Sequence, residues 1–279
     1  MNIQYISDIH LERGKGKEIK SRLPVLAPIL VLAGDIGNPS SHVYRTFIQH
    51  CSEDFDHVSL ITGNHEYYTD KETVTITGID ELIQQYCSQF KNVHFLQNNS
   101  VVINDIIFYG CTMWSYIPYV HEAMVSFAMN DYTKIYTEVG QKLTVDTQND
   151  IHLRMVEKLV SFLDNHMKDK VVVITHHCPL LTDDTVYVKR KLSNNKSHDN
   201  LDFAYCNEFD DIFDEYNNLI VWIYGHTHRP CNIKRNQCRI VSNPHGYPSE
   251  HLYNPAISYY PQAIIQLQNS SDNDPDLLN

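Results

Sequence analysis

The chain has 279 residues, of which 42% are hydrophobic and 20% charged. That is enough apolar material for one sizeable core and too much for a disordered chain. Twenty-two Lys and Arg against thirty-four Asp and Glu leave a net charge of −12, so the surface as a whole repels nucleic-acid backbone and anionic membrane. No stretch approaches the roughly 20 apolar residues of a membrane span, and no basic leader precedes the first apolar run, Ile3–Ser7. The expectation is a cytoplasmic protein without a membrane partner. Seven cysteines, Cys51, Cys87, Cys111, Cys178, Cys206, Cys231 and Cys238, stand singly without a C-x-x-C pair. They read as small buried hydrophobes rather than a disulfide framework.

In chain order, short apolar runs predict strands at Ile3–Ser7, Ile29–Ala33, Val58–Thr62, Val93–Leu96, Ile106–Gly110, Val171–Thr175, Leu219–Tyr224, Arg239–Ser242 and Ala263–Leu267. Several are continuous β-branched runs, the pattern of strands covered on both faces. Helical stripes lie between them. Ile79, Leu82, Ile83 and Tyr86 form one; Ile151, Met155, Leu159, Phe162 and Leu163 form another behind a candidate Asp150 cap; Phe209, Ile212, Phe213 and Tyr216 form a third behind Asn207. The aromatic-rich interval from Gly110 to Asp150 shows no clear period. Alternating strands and helices predict an α/β layered fold. It forms a single domain over residues 1–268, followed by a polar, frayed tail at 269–279.

Five motifs follow predicted strands: Asp8-Ile9-His10, Gly34-Asp35, Gly63-Asn64-His65-Glu66, His176-His177 and Gly225-His226-Thr227-His228. Ligands of open α/β sheets bind beyond the carboxyl ends of the strands, so five such ends can converge on one site. Residues two apart in extended chain share a side. Asp8 and His10 can therefore grip one ion together, and His226 and His228 can present two imidazoles along one edge. Asp35 can bridge two ions, and Asn64 offers a neutral oxygen. A nitrogen and oxygen ligand set without thiolate suits manganese, iron or zinc at a working site better than a structural thiolate zinc. Two divalent ions against Asp8 and Asp35 leave roughly two positive charges, which attract a phosphate in spite of the acidic surface.

Taken together and in this order, the motifs resemble the calcineurin-like metallophosphoesterase superfamily, whose pattern is D-x-H, G-D, G-N-H-[DE], a strand-end His and G-H-x-H. The resemblance implies a four-layer α/β/β/α sandwich with two divalent metals, manganese first and iron or zinc as alternatives. Asp8, His10 and His228 would hold one metal; Asp35 would bridge; Asn64, His226 and one of His176 or His177 would hold the other. Counting from the strand end favours His176 and counting back from Pro179 favours His177. We assign the ligand to His176 and place His177 near substrate. His65 would contact the phosphate and protonate the leaving group. Many members place an Asp or His three residues after the G-D aspartate to orient that histidine; here the position is Asn38, whose amide cannot stabilise an imidazolium as a carboxylate does.

The implied function is hydrolysis of a phosphomonoester or phosphodiester by a metal-bridging hydroxide, on a small phosphorylated substrate. A nuclease and a non-catalytic metal-binding scaffold are the alternatives, and the net charge counts against nucleic acid. Arg229 is a further candidate for substrate binding. Lys189-Arg190-Lys191 could line a substrate lip or form a solvated surface. Trp114, Tyr116 and Tyr119 could wall the site or pack in the core, Asp131 could support a ligand or cap a helix, and His245 could approach the site.

Overall fold

A computed structural model describes residues 1–13, 23–182, 184–185, 201–247, 250 and 259–267. The polar stretch 269–279 and Lys189-Arg190-Lys191 lie outside the described residues. The strands and helices run β1 (Asn2–Ile6), β2 (Ile29–Ala33), α1 (His42–Asp54), β3 (His57–Ile61), α2 (Ile76–Cys87), β4 (Val93–Phe95), β5 (Asn99–Ile103), β6 (Ile106–Cys111), α3 (Glu122–Ala128), α4 (Asp131–Lys134), β7 (Tyr136–Glu138), β8 (Gln141–Lys142), α5 (Val145–Asn165), β9 (Lys170–Thr175), α6 (Asp210–Glu215), β10 (Leu219–Tyr224), β11 (Cys231–Arg235), β12 (Cys238–Ser242) and β13 (Ile264–Gln266). All nine predicted strands form, with ends displaced by a residue or so.

Two mixed sheets result, ordered β13-β1-β2-β3-β4 and β11-β12-β10-β9-β6-β5. In the first, β1 to β4 pair in parallel and β13 returns antiparallel on β1. In the second, the parallel set β6, β9, β10 and β12 is flanked by antiparallel β5 and β11. Alternation along each strand sorts its side chains. Ile29, Val31 and Ala33 of β2 meet Val172, Ile174, Val221 and Ile223 in the layer between the sheets. Leu30 and Leu32 point outward into the cluster that includes Tyr44 and Phe47 of α1. Gly110 of β6 marks a close approach of the two sheets: a β-carbon there would fall 2.7 Å from Ile61 Cγ2 and 2.6 Å from Leu96 Cβ. The outer face of the second sheet is covered by α5, through Tyr109 against Phe162, and by α6, through Phe213 against Trp222. The four layers are therefore helix, sheet, sheet, helix.

Departures from the sequence reading have local causes. The helix expected behind Asp150 starts at Val145, where the Thr144 side chain accepts a hydrogen bond from Thr147 N; the polar first turn hid that cap. α6 begins at Asp210 without a side-chain cap, and Asn207 Oδ1 accepts from Tyr116 N instead. β5 and β11 are half-exposed edge strands; β11 is mostly polar and β5 has only the short apolar run Val101-Val102-Ile103 after two polar residues. α1 has the polar residues His42, Arg45, Gln49 and Ser52 among its apolar ones. All seven cysteines are buried and none is in a disulfide. Among the described residues, no helix is long and apolar enough to cross a membrane.

Candidate metal centre

The motif residues lie beyond the carboxyl ends of β1, β2, β3, β9 and β10, where the two sheets meet. Asp8, His10, Asp35, His226 and His228 all have left-handed backbones, with φ between +51° and +67°. Such a conformation costs an ordinary residue roughly 1–2 kcal/mol and is tolerated best by Asn, Asp and His. It persists because main-chain bonds between strand ends hold it: Asp8 N donates to Gly34 O, His10 N to Asp35 O, and Gly225 N to His176 O, each at 3.0 Å. The clustering of backbone strain on five candidate ligands is the usual mark of a working site.

Glu66, at the end of the third motif, ties two of these turns together. Its carboxylate accepts the N–H groups of Asp35, Ile36, Gly37 and Gly63 at 2.6 to 3.2 Å. Burial, and then the nearby Asp35, push its pKa up to about 7. Gly34 and Gly63 leave room for His176: a β-carbon would fall 2.5 Å from its Nδ1 at Gly34 and 2.6 Å from its Nε2 at Gly63.

Ligand atoms of Asp8, His10 and His228 lie within 4.8 Å of one another, and so do those of Asp35, His176 and His226. The second group gains an oxygen from Asn64, whose Oδ1 is 3.2 Å from His176 Nε2. Asn64 is aimed by Asp131 and Tyr68: its Nδ2 donates to Asp131 Oδ1 at 2.8 Å and to the Tyr68 hydroxyl at 3.1 Å. Asp131 thus supports a candidate ligand. A third group joins His10, Asp35 and His65, which brings His65 to the same centre.

The direction of the lone pairs tests whether these residues fit a pair of divalent ions. His10 and His228 each direct Nδ1 at a carboxylate, Glu12 at 3.0 Å and Glu250 at 2.8 Å. Their Nε2 atoms face each other at 3.2 Å. Nearby stand Asp8 Oδ1, 3.3 Å from His228 Nε2, and Asp35 Oδ2, 3.8 Å from His10 Nε2. On the other side His176 gives Nδ1 to Ala33 O at 2.9 Å and turns Nε2 to Asp35 Oδ1 at 3.4 Å. His226 spends Nε2 on Ala204 O at 3.2 Å. Nitrogen and carboxylate ligand atoms thus converge on two points that share Asp35; without metal they are bridged by protons on His228 and His176, and a bound divalent cation would take the place of those protons. The donor set fits.

Protonation follows from this crowding. Burial opposes charge on His228, but Asp8 more than offsets it and raises the pKa to about 10; Asp35 does the same for His176, to about 9. Burial also opposes ionisation of Asp8 and Asp35, and their histidine partners hold both below the usual carboxylate range. Against the upward push of burial, hydrogen bonds from His10 and His65 draw Glu12 down to about 2. His65 is raised by Asp35 and Glu12 in spite of its own burial.

The remaining expectations fall as follows. Of the adjacent pair, His176 carries the nitrogen that lies with Asp35 and His226. His177 is fully buried, its ring between Trp114 and His226 at centroid distances of 5.1 and 4.2 Å. Arg229 is largely buried and reaches Asp184 at 3.4 Å. Trp114 packs in the core, whereas Tyr119 is 83% exposed. His245 lies against Tyr259 with ring centroids 5.4 Å apart and the rings tilted by 59°. Asn38 is exposed and its Oδ1 accepts from Ser40 N. A cleft of about 130 Å³ is lined by Asp35, Asn64, His65, His226 and His228 of the centre together with Tyr205 and Tyr247. Glu12, Glu250 and Tyr247 escape sequence reasoning. Only the position of Glu12, two residues past a ligand, was a signal that could have found one of them.

A family model for calcineurin-like phosphoesterases matches residues 1–230, and the chain belongs to that family. An uncharacterised protein, L509, of Acanthamoeba polyphaga mimivirus is 30% identical over 269 residues, covering 89% of this chain and 92% of that protein. Among solved structures, the phosphopantetheinyl hydrolase PptH of Mycobacterium tuberculosis superposes with a TM-score of 0.71 at 18% identity, over 98% of both chains. At that identity the likeness establishes the fold, which is the metallophosphoesterase sandwich.

Proposed function

We propose that the protein hydrolyses a phosphate ester, a monoester or a diester, at a dinuclear centre. Asp8, His10 and His228 would hold one divalent ion, Asn64, His176 and His226 the other, and Asp35 both. The observation that carries this reading is the pair of acceptor clusters sharing one carboxylate, each nitrogen turned inward by a partner on its far side. Manganese suits such nitrogen and oxygen donors, as do iron and zinc. The ions, when bound, supply an activated water and positive charge for the phosphoryl oxygens.

The chain's own residues do the rest. Asp35 accepts His65 N–H at 2.8 Å, which fixes the turn that presents the His65 imidazole to the cleft. His65 Nε2 lies 3.3 Å from the Tyr247 hydroxyl, so the two side chains face the same space. Glu12 Oε1 stands 3.2 Å from the Nδ1 of His65, a carboxylate partner that favours the protonated ring. His65 can bind a phosphoryl oxygen and then give its proton to the departing alkoxide, which is worth about 10²–10⁴-fold. The acidic surface and the small cleft favour a small phosphorylated substrate over nucleic acid.

The test is a paired assay on metal-stripped protein reloaded with Mn²⁺, with p-nitrophenyl phosphate and bis-p-nitrophenyl phosphate as substrates and Asp35→Asn as control. A phosphopantetheinyl-serine peptide extends the panel, because the mycobacterial neighbour of the same fold is named for that group. Metal-dependent turnover that the control abolishes supports the reading, and the preferred substrate separates monoester from diester. No turnover on any substrate with Mn²⁺, Fe²⁺ or Zn²⁺, in protein shown to hold two ions, overturns it in favour of a scaffold.

A further inference from the structure

We propose that Glu12 is a positioning residue that holds His10 and His65 together through one carboxylate oxygen. The inference rests on the dinuclear reading only where it concerns turnover.

The geometry is specific. Glu12 Oε1 lies 3.0 Å from His10 Nδ1 and 3.2 Å from His65 Nδ1. A carboxylate oxygen has two lone pairs and no proton to give, so it can accept from both rings only if both carry hydrogen at Nδ1. Each ring is then left with Nε2 facing inward: His10 toward His228 at 3.2 Å, His65 toward the cleft and the Tyr247 hydroxyl at 3.3 Å. The two rings meet edge to face at 4.5 Å, a spacing that one shared acceptor explains.

The backbone holds Glu12 in place for this. Leu11–Arg13 forms a 3-10 turn, closed by Arg13 N on His10 O at 3.0 Å and joined to the Asp35 loop by Leu11 N on Ile36 O at 2.9 Å. Gly37 in that loop keeps the space open, since a β-carbon there would sit 2.9 Å from Leu11 Cβ and 3.5 Å from Glu12 Oε2. Asn38, by contrast, is exposed and bonded to its own turn at Ser40 N. The carboxylate therefore reaches His65 from the segment after β1 rather than from the segment after β2. One residue supports a candidate metal ligand and the phosphate-facing imidazole at once.

Substituting Glu12 should thus disturb two properties that separate residues would otherwise control. The first measurement needs no metal: long-range proton–nitrogen correlation spectra of the histidine rings in the metal-free full-length protein. Wild type is expected to show Nδ1–H forms for His10 and His65. Glu12→Ala, and Glu12→Gln as a variant of unchanged volume, should alter both ring patterns, while Asn38→Ala leaves them as in wild type. A pattern unchanged in both rings, or changed in only one, overturns the proposal. The second measurement uses the Mn²⁺-loaded enzyme. Glu12→Ala should weaken retention of one of the two ions by about 10–100-fold in equilibrium dialysis. It should also lower kcat for an alkyl phosphate by about tenfold or more beyond its effect on p-nitrophenyl phosphate, whose leaving group needs little protonation. Equal losses on the two esters overturn the His65 half. If the wild type proves inactive, the functional reading fails, and the ring spectra and metal retention still decide the role of Glu12.

Discussion

On one side of Asp35, His10 and His228 turn their outer nitrogens to carboxylates, Glu12 and Glu250; on the other, His176 and His226 turn theirs to the main-chain carbonyls of Ala33 and Ala204. Both arrangements aim the opposite ring nitrogen inward, but they differ in what they add. A carboxylate partner makes the imidazole a stronger electron donor and brings negative charge to the site. A carbonyl partner belongs to the backbone, set by the end of β2 at Ala33 and by the 3-10 turn Asp202–Ala204 at Ala204, and no side-chain substitution removes it. The carboxylate-backed half is consequently open to tuning by mutation, and the carbonyl-backed half is as durable as the fold.

Asp35 belongs to both halves, so its loss should have the largest effect. Asp35→Asn is expected to retain neither ion at full occupancy and to reduce turnover to the level of metal-free protein, as checked by elemental analysis and the ester assay; one ion kept at wild-type affinity would break the symmetry argued for the bridge. Acidification comes next. His228 and His176 are raised to about 10 and about 9, so both carry protons at neutral pH before metal binds, and binding must release them. Affinity should fall by up to about one decade per pH unit for each proton displaced. Calorimetry in buffers of different ionisation enthalpy should count about two protons released at pH 7. For the metal-free protein the sign is set by the same shifts. The stability these two histidines contribute is fully present below their unfolded pKa and is lost as pH rises through about 9 to 10.

Glu250→Gln sharpens the contrast between the halves. It is expected to weaken the ion on the His228 side by about 10–100-fold and to leave the other ion in place, which two-site metal titration resolves. Equal weakening of both would mean that the partners of the outer nitrogens do not distinguish the halves. The smallest effect lies outside the centre. Burial raises Asp80 to about 6, where it accepts from the Tyr67 hydroxyl at 2.7 Å. Its folded pKa exceeds its unfolded one, so the stability tied to its proton is present at low pH and is lost as pH rises through about 6. Asp80→Asn should flatten the pH dependence of the unfolding free energy between pH 4 and 7, read by denaturant titration, without changing metal content.

Much of this molecule was legible in the sequence. The strand bodies are apolar runs that only a sheet covered on both sides can bury, so β2 and β10 were read to the residue. The polar motifs stand immediately after those runs, and their order along the chain places Asp8, His10, Asp35, Asn64, His176, His226 and His228 at strand ends. What sequence pattern could not supply was the support around them. Glu250 reaches His228 from a loop after β12, and Asp131 reaches Asn64 from the start of α4. The outer bonds of His176 and His226 go to carbonyls that every residue carries. Between His176 and His177 local counting pointed both ways; in the fold the His176 ring lies with Asp35 and the His177 ring packs on Trp114 in the core. Residue type and spacing thus determined which atoms could bind metal. Only the tertiary structure decided which nitrogen of each ring faces inward, because that depends on contacts between strand ends far apart in the chain.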